Sequence, residues 1–166
     1  MIPLNKRFLA LFVSLLFGLV SLGCAAQQKP GEIVAERTKV VLETLVKQRA
    51  EFSADRAKLD QFVQSELNTL FDREYSARLV LAMHSRGVDA AKITAFANAL
   101  IDTLLRKYGA ALLETDPSTD VKVLSETPLR NGELIRVATE VHRRGGAPIP
   151  VDYLFRQSNG EWKVFD

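Results

Sequence analysis

The sequence predicts an α+β fold, with helices laid on one face of a four-strand antiparallel meander sheet. Three observations predict it. Apolar residues recur at steps of three and four through residues 32–113, the period of amphipathic helices. From Val121 to Phe165 the period becomes two, as in strands with one buried face. Asp116-Pro117 divides the halves, because proline removes a backbone donor and turns the preceding residue away from helix. Helices first and strands after is the order of an α+β domain.

The totals fit one domain with a real core. The chain has 166 residues, a size at which roughly two thirds of the unfolded surface is buried. Charge is balanced, with 22 Lys+Arg against 20 Asp+Glu. Nucleic-acid binding wants a clustered basic surface, so this balance argues against it. Cys24 is the one cysteine, which rules out an intramolecular disulfide and a cysteine-based metal site.

Residues 1–26 read as an export signal. Lys6 and Arg7 form a charged start, and Phe8 to Leu22 carries no charge. That run suits a signal core and is short for a spanning helix. Gly23, Cys24, Ala25 and Ala26 follow, and cleavage is expected after Ala25 or Ala26. The alternative is acylation of Cys24, although Ser21 stands where lipoprotein signals usually carry leucine. Either reading exports the chain to the periplasm, with residues 27–166 as a single domain.

Within that domain, Ile33, Val34, Val40, Val41, Leu45 and Val46 mark a first helix from Glu32 to Arg49. Ser53 is the expected cap of the next, whose apolar face holds Leu59, Phe62, Val63, Leu67, Leu70 and Phe71. Asp72 punctuates the chain before a third helix from Arg73 to His84, with Gly87 as a left-handed C-cap. Asp89 is the expected N-cap of the longest stripe, which holds Ile93, Phe96, Ala97, Leu100, Ile101, Leu104, Leu105, Tyr108 and Leu112. So long a stripe needs a large apolar partner, and the sheet is expected to be that partner.

The strands follow. Val121 and Val123 open the first. Arg130-Asn131-Gly132-Glu133 predicts a tight hairpin, because Asn-Gly tolerates positive φ. Ile135, Val137, Thr139 and Val141 then form an inward row. Gly145-Gly146-Ala147-Pro148 breaks the pattern, and Val151, Tyr153 and Phe155 resume it. A second Asn-Gly turn, Ser158-Asn159-Gly160, leads to Trp162 and Val164. The sequence stops at Asp166 directly after a strand. A bare edge strand at a terminus invites aggregation, so we expect the sequence to be incomplete there.

Three stretches carry a family resemblance. They are FDREYSARLVL at Phe71 to Leu81, FANALIDTLLRKYGAALL at Phe96 to Leu113, and VDYLFRQSNGEWKVFD at Val151 to Asp166. Their order and spacing resemble the MlaC, or Ttg2-type toluene-tolerance, periplasmic phospholipid carriers of Gram-negative bacteria. The likeness runs from about Ile33 to Asp166. The family usually continues with a further strand and helix. The resemblance implies a non-enzymatic shuttle that takes a glycerophospholipid from an outer-membrane lipoprotein complex to an inner-membrane ABC transporter complex, maintaining outer-membrane lipid asymmetry. The cargo would be its only bound small molecule. Its acyl tails would sit between helices and sheet, lined by Leu79, Phe96, Leu100, Ile101 and Leu104 from helices and by Val137, Val141, Tyr153, Phe155 and Trp162 from strands. Two tails hold on the order of 30 methylenes, and exposing them to water costs on the order of 20 kcal/mol. Such cargo crosses an aqueous gap only if covered.

Other chemistries find little footing. His84 and His142 are the two histidines, and neither stands in a nucleophile-elbow pattern. Glu140 and His142 share a strand face, but two ligands make a surface pair rather than a metal site. Arg143-Arg144-Gly145-Gly146 is a basic turn that could meet phosphate or an acidic partner. The rival readings are an exported enzyme with a cone-shaped sheet, or a structural envelope lipoprotein. Pocket polarity separates the enzyme from the carrier, because catalysis needs convergent ionisable groups. The inward strand rows hold no carboxylate or histidine.

Overall fold

The computed structural model describes residues 27–166. The expected signal, its cleavage point and Cys24 lie outside them. Five α-helices come first: α1 Pro30–Lys47, α2 Arg49–Ala54, α3 Arg56–Leu70, α4 Arg73–Leu81 and α5 Ala90–Leu112. Four strands follow: β1 Asp120–Leu129, β2 Leu134–His142, β3 Ile149–Ser158 and β4 Glu161–Val164. They form one antiparallel sheet in the order β1-β2-β3-β4, the expected meander.

The inward rows meet as the period of two requires. Val137 faces Tyr153 across β2 and β3, Ile135 faces Phe155, and Phe155 faces Val164 across β3 and β4. Among the described residues Thr139 is the one buried polar residue, and its Oγ1 donates to the Val151 carbonyl at 2.8 Å. That bond offsets the cost of burying a hydroxyl. Leu124 forms a bulge in β1, where the register shifts between Val123 and Ser125. The first hairpin is looser than a two-residue turn. Leu129 and Leu134 are its last pair, and Arg130, Asn131 and Gly132 all take positive φ.

Three caps differ from the sequence reading. Asp55, not Ser53, caps α3, its carboxylate accepting from the Ala57 amide at 3.0 Å. A carboxylate there also complements the helix dipole. The third helix is shorter than expected. It ends at Leu81, Ala82 takes φ 47°, and a 3-10 turn fills Ala82–Ser85 before Gly87 at φ 72°. Met83 beyond it is 68% exposed, so burial no longer rewards a continued helix. Asp89 precedes α5, but its side chain makes no capping bond.

The largest correction concerns α5. Its main contacts are with α4 and α3, while α1 covers β1 and β2. Ile33 and Val34 of α1 pack on Val137, Phe155 and Val164, which the long helix was expected to cover. Three clusters result. One joins α1 to the sheet, one gathers Leu45, Phe52 and Leu59, and one holds Ala77, Ile93 and Ala97 between α4 and α5. The stripe of α5 therefore spends part of its length on helices, and Leu104 and Tyr108 remain 47% and 53% exposed.

Candidate functional site: two apolar cavities divided by Phe71

The helices do not close completely on the sheet. A cavity of about 370 Å³ lies between α1, α3, the end of α5 and the sheet. Val41, Leu42 and Leu45 line it from α1, Phe62, Val63, Leu67 and Leu70 from α3, and Val121, Val141 and Tyr153 from the strands. Its polar lining is slight. Arg37 and Glu66 pair with each other at 3.9 Å, and the Thr38 hydroxyl donates back to the Val34 carbonyl at 2.6 Å. Burial pushes the Tyr153 phenol above its ordinary pKa, because the charged form loses its hydration there.

A second cavity of about 350 Å³ lies between α3, α4, α5 and residues Phe165 and Asp166. Leu100, Ile101 and Leu104 line it with Ala77, Ala97 and Phe165. Leu67 and Phe71 line both cavities. Arg73 is the one cation in the lining of the second. Its Nη2 donates to Asn98 Oδ1 at 2.5 Å, and its Nε is buried without a partner.

The chain around Phe71 is fixed on both sides. The Phe71 amide donates to the Leu67 carbonyl at 2.9 Å, and Phe71 forms an isolated parallel bridge with Val164. The Asp72 amide donates to the Val164 carbonyl at 2.8 Å. Asp72 caps α4 by accepting from the Tyr75 amide at 3.1 Å, and its other carboxylate oxygen takes the Arg156 guanidinium. That guanidinium stacks over the Tyr75 ring at 4.4 Å, and Tyr75 meets Phe165 edge-on at 5.2 Å. The Ser76 hydroxyl donates to the Phe165 carbonyl at 2.7 Å. The first and third of the resembling stretches thus meet as a latch between α4 and the end of the sheet.

The ten residues expected to line the site do not come together. Val141 and Tyr153 line the first cavity, and Leu100, Ile101 and Leu104 line the second. Val137 and Phe155 are fully buried beside Val34 and Val164, where side chains fill the space. Trp162 packs on that cluster and borders a shallow groove with Ile33 and Lys163. Phe96 packs on the Ala77, Ile93 and Ala97 cluster, and Leu79 is 49% exposed. The sequence reading omitted the walls from α1 and α3. Their stripe was visible at Val41, Leu45, Phe62, Val63, Leu67, Leu70 and Phe71, but nothing in it marked which side of the sheet stayed open.

Larger clefts are charged. One of about 570 Å³ carries Lys39, Glu43, Lys47, Asp116 and Asp120, and one of about 580 Å³ carries Arg130, Glu133 and Arg156. Neither suits an acyl chain, which would strip water from these charged groups without pairing them. Asp116 in the first is held below the usual carboxylate range, chiefly by the Ser118 hydroxyl and then by the Ser118 amide. His142 Nε2 lies 3.1 Å from Glu140 Oε2. Among the described residues no group of three or more His, Cys, Asp or Glu comes together, and no helix is long and apolar enough to cross a membrane.

The architecture is that of an α+β domain with one apolar cavity between its helices and a face of the sheet and a second among the helices. The MlaC protein family model matches residues 35–166, and the chain belongs to that family. Among solved structures, it is similar to the phospholipid-binding protein from Ralstonia solanacearum, solved in complex with a phospholipid at 1.53 Å. The two share 18% identity with a TM-score of 0.74, over 84% of this chain and 76% of that one, a likeness of fold. No curated protein matches the chain.

Proposed function

We propose that this protein is a periplasmic carrier of glycerophospholipid. It would collect lipid from an outer-membrane lipoprotein complex and deliver it to an inner-membrane ABC transporter complex, which supports outer-membrane asymmetry. The observation that carries the reading is the pair of adjoining apolar cavities, one between helices and sheet and one among α3, α4 and α5. Family membership and the phospholipid held by the Ralstonia protein support it. The enzyme reading draws less support, because the charged groups lining the first cavity, Arg37 and Glu66, pair with each other and burial keeps the Tyr153 phenol protonated. Among the ten expected lining residues, we assign the tails to Val141, Tyr153, Leu100, Ile101 and Leu104. We assign Val137 and Phe155 to the packed floor beneath them.

The carrier needs no energy source of its own. Burial of the tails is worth about 0.8 kcal/mol per methylene, so affinity comes from covering them and direction from the partners. Release then requires the α1 and α3 walls to part from the sheet.

Native mass spectrometry of the chain purified from a bacterial periplasm tests this, with lipid analysis of the organic extract. The expected result is a stoichiometric adduct of phospholipid mass. A folded chain that stays empty in the periplasm and after incubation with phospholipid vesicles would end the carrier reading.

A further inference from the structure

We propose that Phe71, seated on Leu67, is a septum that parts the two tails of one diacyl lipid, one tail to each cavity. This deepens the carrier reading and rests on it. Two features carry it: the same two side chains form a wall of both spaces, and the spaces are nearly equal, at about 370 and 350 Å³. At about 30 Å³ per water-sized group, each takes roughly a dozen methylenes. One tail of about 15 methylenes therefore fills one cavity with a little left over, and neither cavity alone holds two.

The backbone geometry suits a fixed divider. Phe71 ends α3 in extended conformation at φ −99° and ψ 142°, and Leu67 lies one helical turn before it on the same face. Hydrogen bonds hold the chain on both sides of the ring, to Leu67 and, through Asp72, to Val164. The ring packs against the buried cluster of Val34, Val137, Phe155 and Val164. A wall braced in this way keeps its place while tails enter on either side. It selects for a two-tailed lipid, because a single tail leaves one apolar cavity unfilled and forfeits about half the burial.

Titration with dioleoyl phosphatidylethanolamine and with its single-tailed lyso form, read by native mass spectrometry, tests the assignment. The wild type is expected to hold one diacyl lipid or two lyso lipids. Ile101→Trp, which fills the second cavity, should hold one lyso lipid and lose diacyl occupancy at least tenfold. Val63→Trp, which fills the first, should do the same. Circular dichroism checks folding, and Ile101→Phe or Val63→Phe replaces a tryptophan variant that does not fold. Wild-type diacyl occupancy in both filled variants would overturn the septum and leave the carrier reading standing, as would saturation of the wild type at one lyso lipid. A wild type that takes neither lipid would overturn both.

Discussion

Tyr153 stands in the inward row of β3, faces Val137 across the sheet and borders the first cavity. Burial raises its pKa, so the folded chain holds the phenolic proton more tightly than the unfolded chain does. Stability is therefore level with respect to this group below about pH 10 and falls as pH rises from there to the folded midpoint. Tyr153→Phe should remove that alkaline loss. The difference in phenolate absorbance between wild type and variant should titrate above the ordinary tyrosine midpoint, and higher still when phospholipid displaces cavity water. A midpoint at the free-tyrosine value in both states would mean that the ring is solvated. Phe155 marks the opposite case, fully buried in a filled region. Phe155→Ala should cost about 3–5 kcal/mol in urea unfolding, where a lining residue would cost less.

Among the elements, the latch between α4 and the sheet end concentrates the most specific contacts. Asp72 serves as cap and as counter-ion, with 13% of its side chain exposed. Asp72→Ala should cost roughly 2 kcal/mol, about 1 from the cap and about 1 from the partly buried pair. Arg156→Ala should cost a similar amount, and the double variant should cost less than the two together, because they share one interaction. Additive losses in chemical unfolding would show that the contacts act separately. This is also where legibility divides. Helical and strand periods located every α-helix except α2, which merges into its neighbours at Arg49–Ala54 because so short a segment has too few turns to show a stripe. Asp72 was legible as punctuation, but its link to Arg156 was not, since 84 residues separate them. The partner of α5 was misread for a related reason. A stripe states that a face is buried and not what buries it, and α1 with Ile33 and Val34 fits the sheet while α4 covers α5. In the candidate site, the period of two puts Val141 and Tyr153 on the inward face that borders the first cavity, while the place of Phe71 beside both cavities has no sequence signal, because a cavity is set by what neighbouring side chains fail to fill.

At the scale of the molecule, apolar space left open is stability forgone until a ligand enters. A ligand present at 100 times its Kd adds about 2.7 kcal/mol to the folded state. For a chain of this size that is roughly 5–10 °C in melting temperature. The delipidated chain should melt lower by that amount and recover on addition of phospholipid vesicles. An unchanged melting curve, with lipid shown to be bound, would mean that the filled and empty forms share one packing.

The latch also has a consequence for the order in which the chain assembles. Synthesis runs from the N-terminus, so α1, α3 and Phe71 emerge long before β3 and β4. Closing so long a loop is entropically slow, and contacts of this separation form late. The apolar faces of α1 and α3 therefore wait uncovered while the sheet is still being delivered, a period in which a growing chain is prone to self-association. Substitutions at Asp72 or Arg156 should speed unfolding and leave the folding rate nearly unchanged, as measured in stopped-flow chevrons. The faces of α1 and α3 that border the apolar cavity are thus exposed first and covered only when β3 and β4 arrive.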